Sequence, residues 1–232
     1  MSAIAAKIST VSIANAKSNN DMKKPVLIVI IVTLFQAMLL PAMAYIVYNK
    51  VYVPVEYREY YYPTQKLGEG VNDVQGIILH HTATRHTQST VWFLCDSIDV
   101  EASCHVLIAK SGTRYVLAPP TAVTWHAGYS MLNGRERCND FTVGIEFMGN
   151  TVEAPLTKRQ INSAIEYIIP IMKEYGIPKE NIVTHEYVRR SWMQHHPDLV
   201  SEKGVETKVD ITPKEYARLM SRLEKRLERE GV

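Results

Sequence analysis

The chain has 232 residues, of which 46% are hydrophobic and 22% are charged, as is typical of a folded globular protein. The formal net charge of +2 and the scattered lysines and arginines argue against a nucleic-acid partner. Cys95, Cys104 and Cys138 form neither a CxxC pair nor an even set, so they indicate no disulfide framework and leave the redox compartment open.

An uncharged apolar run near the N-terminus begins at Pro25 and continues for 23 residues, enough to span a bilayer of about 30 Å. Lysines precede the run, which predicts a cytoplasmic tail over residues 1–24 and a single-pass transmembrane anchor over residues 25–48. A signal peptide is the alternative, because Ala42–Ala44 resembles a cleavage site. Both interpretations place the rest of the chain in the periplasm or outside the cell.

The rest of the sequence predicts a tyrosine-rich linker over residues 49–70 and one domain over residues 71–232. Short β-branched runs indicate strands, and amphipathic stretches between them indicate helices. Strands interleaved with helices predict an α/β fold, in which a mixed central sheet carries helices on both faces. The predicted strands are 76–81, 104–109, 114–118, 142–148 and 181–185, and the predicted helices are 89–98, 157–175 and 212–232.

Two of the predicted strands end in histidine. One run reads Gly-Ile-Ile-Leu-His-His over residues 76–81, and the other reads Asn-Ile-Val-Thr-His over residues 181–185. An imidazole at the end of a buried strand faces a cleft as easily as a core, so His80 and His185 could meet on one metal ion. The alternative is a pair of core histidines with satisfied hydrogen bonds.

A glutamate interrupts the apolar strand over residues 142–148. Burying the Glu146 carboxylate is costly unless the group is paired or functional. Glu146 is therefore a candidate general base, and a salt bridge to an arginine is the alternative.

Several motifs occur in a specific order: HHTA after a strand, HVLI in a hairpin, WHAG at 125–128, GRERCND at 134–140 and GIE at 144–146. Together they resemble the zinc-dependent N-acetylmuramoyl-L-alanine amidases, above all the AmpD-like branch. The resemblance covers residues 71–225 and extends to phage amidase lysozymes and peptidoglycan recognition proteins. It implies a hydrolase that uses a zinc-activated water to cut the amide bond between the lactyl group of N-acetylmuramic acid and L-alanine. Peptidoglycan or a muropeptide would be the substrate; the alternative is a recognition module that binds peptidoglycan without cutting it.

The resemblance also implies roles for individual residues. His80, rather than His81, matches the first zinc ligand, and His185 matches the second. Glu146 matches the catalytic glutamate. The substrate-binding residues are Arg137 for the stem peptide, and Trp125 and His126 for the saccharide.

The third zinc ligand is where this chain departs from the family pattern. The family usually places Asp or Cys about eight to ten residues after the second histidine, with a lysine two positions earlier. His195 and His196 lie in this window without that lysine. Lys208 and Asp210 keep the lysine after an insertion of about 15 residues, and residues two apart in extended backbone face the same side. Asp210 is therefore the favoured third ligand, with Lys208 stabilising the oxyanion, and the two histidines remain alternatives.

Overall fold

A computed structural model of the protein describes residues 57–97, 101–207 and 209–231. The strands in this part of the chain are β1 (Glu59–Tyr61), β2 (Gly76–His81), β3 (Val106–Ile108), β4 (Arg114–Val116), β5 (Met131–Leu132), β6 (Arg135–Glu136), β7 (Thr142–Phe147) and β8 (Ile182–Thr184). The α-helices are α1 (Thr87–Cys95), α2 (Lys158–Tyr175), α3 (His185–His195), α4 (Pro197–Glu202) and α5 (Pro213–Glu230). Each strand and helix predicted for the domain is present, with small shifts at the ends.

Six of these strands form one mixed sheet, in the order β1-β4-β3-β7-β2-β8. The β3–β4 hairpin is antiparallel, whereas β7, β2 and β8 run parallel to one another. Strand β2 lies between β7 and β8 and all six of its residues are buried, which explains its continuous apolar run. The predicted mixed central sheet is confirmed.

Side chains alternate between the two faces of the sheet, and helices cover both faces. On one face, Ile77 and Leu79 of β2 belong to the larger core, which contains the apolar sides of α2 and α5. On the other face, Ile78 packs with Val188 of α3, and Leu107 of β3 packs with residues of α1. This second face also carries the side chain of His80, which lies two residues after Ile78 in β2.

Local signals set the limits of the long helix α2. The Thr157 hydroxyl accepts a hydrogen bond from the Gln160 N–H, and the Gln160 side chain accepts from the Thr157 N–H, which forms the expected capping box. The helix continues through Pro170 and ends at Gly176, whose φ of 65° is left-handed.

Within the linker predicted over residues 49–70, the described residues include a strand of the sheet. Strand β1 pairs in parallel with β4 at the edge of the sheet. The Arg114 guanidinium holds this strand through Glu59, with a distance of 2.7 Å between Nε and Oε2. The stacked rings of Tyr60 and Tyr115 add a cross-strand contact, with centroids 5.6 Å apart. The pairing partners are more than fifty residues away, so the local sequence did not indicate a strand here.

The predicted tail and anchor, and the beginning of the predicted linker, lie outside the described residues. Among the residues that are described, none of the helices combines the length and hydropathy needed to cross a membrane. The three cysteines are buried free thiols.

Candidate metal centre

Three parallel strands bring their carboxyl ends to one edge of the sheet. His80 lies near the end of β2, and Glu146 lies directly beside it in the register of β7. Thr184 of β8 pairs with Leu79, so His185, the next residue, begins α3 at the same edge. The apolar runs that precede these three side chains therefore place them together.

Asp210 completes a buried group with the two histidines. The Nδ1 atoms of His80 and His185 lie 3.3 Å and 2.7 Å from the same oxygen, Oδ2 of Asp210. One possible ligand atom from each of the three residues lies within 4.8 Å of the others. Burial raises the pKa of Asp210, but hydrogen bonds with His185 and His80 outweigh this and hold the pKa below its usual range. An ionised carboxylate with two imidazoles is a donor set that suits zinc.

The structure does not bring the two alternative histidines to this group. His196 Nε2 lies 2.9 Å from Glu136 Oε1, and the His196 ring lies against Trp192. His195 Nδ1 contacts the Ser191 carbonyl within α3 at 2.8 Å. Lys208 lies outside the described residues, so its predicted place beside Asp210 stays a prediction.

A threonine from the loop after β7 positions the backbone at Asp210. The Thr151 hydroxyl donates to the Asp210 carbonyl at 2.7 Å and accepts from the Thr212 N–H at 3.1 Å. The Thr151 N–H donates to Nδ1 of His81, also at 3.1 Å. His81 thus supports the third candidate ligand from the opposite face of β2. No signal in the sequence pointed to Thr151.

The loop over residues 125–128, which we call the supporting loop, contacts both candidate ligand histidines. His126 Nδ1 lies 3.2 Å from His80 Nε2, and the Ala127 carbonyl lies 3.1 Å from His185 Nε2. The His126 ring packs flat against Gly144 of β7, where a Cβ would approach its Cγ to 2.5 Å. Burial, with His80 nearby, lowers the pKa of His126 well below its usual value.

Comparison with known proteins assigns the chain to a family. A family model described as N-acetylmuramoyl-L-alanine amidase matches residues 70–199. The chain belongs to this family. Asp210 lies beyond the matched residues.

Similar proteins agree with this assignment. The amidase-family chain is 42% identical over 96 residues to the 1,6-anhydro-N-acetylmuramyl-L-alanine amidase AmpD of Haemophilus influenzae, covering 40% of this chain and 50% of that protein. It is 30% identical over 127 residues to the N-acetylmuramoyl-L-alanine amidase AmiD of Escherichia coli, covering 48% and 45%. The chain thus spans about half the length of the curated relatives it matches.

Two solved structures share the fold. A structure of AmpD superposes with a TM-score of 0.50 at 22% identity, covering 59% of this chain and 84% of that one. The structure of PlyL gives a TM-score of 0.51 at 18% identity, covering 73% and 97%.

The other expected substrate-binding residues lie outside the three-residue group. Trp125, in the supporting loop of this amidase-family chain, is half-buried, and its backbone N–H donates to the Ser103 hydroxyl at 2.9 Å. Arg137 has a left-handed backbone with φ of 59°, and its exposed guanidinium pairs with Asp140 at 3.0 Å. Their contacts with substrate stay predictions.

Sequence reasoning missed His105, which lies behind the supporting loop. Its Nδ1 accepts the Gly144 N–H at 2.9 Å, and its Nε2–H donates to the Ala122 carbonyl at the same distance. Burial lowers the pKa of His105 to about 4. The only available signal was a histidine at the head of the apolar run 104–109, which favours a strand without indicating a role.

Proposed function

We propose that this chain is a zinc-dependent N-acetylmuramoyl-L-alanine amidase. The observation that carries this proposal is the convergence of His80, His185 and Asp210 beside Glu146 in a member of the amidase family. The proposed substrate is a muramoyl peptide, because the relatives are named for cleavage of the bond between N-acetylmuramic acid and L-alanine.

His80, His185 and Asp210 are the residues that would hold the zinc ion. Two imidazoles and one carboxylate form the three-ligand set of a catalytic zinc site. When bound, zinc supplies a Lewis acid and lowers the pKa of a bound water to about 7. All three residues are buried, so their ligand atoms lie inside the fold.

Glu146 acts as the general base and then as the general acid. Its backbone is the register neighbour of His80 on an adjacent parallel strand, and side chains at paired positions lie on the same face about 5 Å apart. The carboxylate takes a proton from the attacking water, whose oxygen bonds to the lactyl carbonyl carbon. The C–N bond then breaks, and Glu146 delivers the proton to the leaving amine of L-alanine.

Three further residues bind the substrate in this proposal. Trp125 offers an aromatic face to the saccharide, and the exposed Arg137 binds a carboxylate of the stem peptide. Lys208 stabilises the oxyanion, a contribution typically worth about 10²–10³ in rate. All three roles rest on the family resemblance.

Glu146→Gln tests the mechanism, because it keeps the size of the side chain and removes its basic oxygen. We expect release of peptides that begin with L-alanine from purified peptidoglycan or muropeptides to fall about 10²–10⁴-fold. Zinc content, measured by mass spectrometry of the metal, should not change.

Glu153→Gln is the matched control, because Glu153 is exposed and pairs only with surface groups in the hydrogen bonds described. Equal activity of the two variants would remove Glu146 from its role. A parent protein that binds zinc and peptidoglycan but releases no peptide would instead support the recognition module.

We also propose that residues 25–48 anchor an exported catalytic domain. The uncharged run and the preceding lysines support this location. A chain tagged at both ends should remain in the membrane fraction, with only its C-terminal tag open to external protease. Loss of the N-terminal tag would indicate cleavage of a signal peptide, and a protected C-terminal tag would contradict export.

A further inference from the structure

The hydrogen bonds around His126 determine which of its nitrogens carries the proton. The Thr142 hydroxyl donates to the Cys138 carbonyl at 2.6 Å, so its oxygen can only accept from His126. The Thr142 carbonyl also only accepts, and both oxygens lie 3.4 Å from His126 Nε2. Nε2 is therefore the nitrogen that donates, and in the singly protonated ring Nδ1 is an acceptor.

The position of the His126 proton determines which nitrogen of His80 carries a proton, and a backbone carbonyl does the same for His185. Because His126 Nδ1 accepts, His80 Nε2 at 3.2 Å must donate an N–H. The Ala127 carbonyl can only accept, so His185 Nε2 at 3.1 Å also carries a proton. Each imidazole would then present Nδ1 to a metal ion, which would take the place of the hydrogen bonds that both Nδ1 atoms make with Asp210.

Asn139, from the GRERCND motif, holds the supporting loop in this position. Its Oδ1 accepts the backbone N–H groups of His126 at 3.0 Å and of Ala127 at 2.8 Å. One buried amide oxygen thus fixes the two consecutive residues that contact His80 and His185.

We propose that Asn139 and the supporting loop form the device that orients both zinc-binding histidines, with His126 as a positioning residue for His80. The proposal rests on the proposed function for the identity of the metal. It gives His126 a place against a metal ligand instead of the saccharide contact that the family resemblance implies. Partners that orient metal-binding histidines in this way typically change metal affinity about 10–100-fold when they are removed.

Zinc affinity of the full chain, measured by competition with a chelator, tests the proposal. We expect His126→Leu and Asn139→Ala to weaken zinc binding about 10–100-fold. Asn139→Asp keeps an acceptor oxygen for both N–H groups, so it should bind zinc like the parent. In ¹⁵N spectra of the zinc-loaded parent, His80 and His185 should carry their proton on Nε2.

Ser130→Ala is the matched control, because Ser130 bonds the same segment through the Gly128 carbonyl and the Cys138 N–H without contacting either ligand. It should lower thermal stability and leave zinc affinity unchanged. If His126→Leu does not fold, the Asn139→Ala and Asn139→Asp pair decides the question.

Other outcomes would overturn the proposal. Parent-like zinc affinity in both His126→Leu and Asn139→Ala, an equal loss in Ser130→Ala, or metal bound at Nε2 would each do so, while leaving the proposed amidase activity intact. A parent that binds no zinc would overturn the zinc-dependent function as well, so the two failures are distinguishable.

Discussion

His105 should make the folded chain lose stability as the pH is lowered. Protonating the ring would place an N–H on Nδ1, directly against the Gly144 N–H that Nδ1 now accepts. Burial opposes the charge as well, and the pKa of His105 falls from an ordinary 6.5 to about 4. The unfolded chain has no such constraint.

The sign and size of the effect follow from these two values. Between pH 6.5 and 4 the unfolded chain binds a proton at His105 that the folded chain does not, so the free energy of unfolding falls as the pH falls. At about 1.4 kcal/mol per pKa unit, His105 costs about 2 kcal/mol at pH 5 and about 3 kcal/mol at pH 4. Above pH 6.5 the cost is absent.

His105→Asn removes this titration and keeps a side-chain oxygen near the Gly144 N–H. Urea unfolding with a chelator present, at pH 8, 5 and 4, compares the two proteins without metal. At pH 8 the variant should be less stable by about 1–2 kcal/mol, because the Ala122 carbonyl loses its donor. The gap should close near pH 5 and reverse by pH 4, since the other histidines are common to both proteins. A gap that stays constant across this range would refute the reasoning.

Three further predictions concern the surroundings of the site. Gly144→Ala should cost about 1–3 kcal/mol in urea unfolding, because its Cβ would lie 2.5 Å from His126 Cγ; unchanged stability would mean that the ring moves freely. Thr151→Val should cost about 1–3 kcal/mol by the same measurement, because the Thr212 N–H and the Asp210 carbonyl lose their partner, and a neutral result would deny Thr151 this role. Zinc at 100 times its dissociation constant should stabilise the parent by about 2.7 kcal/mol, seen as a higher melting temperature that a chelator reverses. Asp210→Ala should lose this response, and an equal response would point to a site elsewhere.

The sequence predicted best those site residues that lie within or at the end of an apolar strand pattern. The runs that end at His80 and His185 read as buried strands, and Glu146 interrupts a third. Parallel pairing of β7, β2 and β8 then brings the three side chains to one edge of the sheet. These residues could be singled out from the local sequence, because each is a polar side chain within or at the end of an apolar run.

The sequence favoured Asp210 as the third zinc ligand but left His195 and His196 as alternatives. Of these three residues, the tertiary structure brings Asp210 to His80 and His185. His196 lies only 11 residues after His185, yet α3 and α4 direct it to Glu136. Asp210 is 130 residues from His80, and the two meet because Thr151 positions the backbone before α5. A contact between residues so far apart in the sequence cannot be predicted from local patterns.

By itself, then, the sequence determined the α/β architecture, the strand-end histidines, Glu146 and the family to which the chain belongs. Only the tertiary structure decided that β1 joins the sheet and that Asn139 holds the supporting loop against both histidines. It also decided that His105 bonds Gly144 of β7 and that Thr151 bonds the backbone at Asp210. The physical reason is that the periodicity of strands and helices depends on residues close together in the sequence. The hydrogen bonds that orient a metal site join segments that meet only after the core has packed.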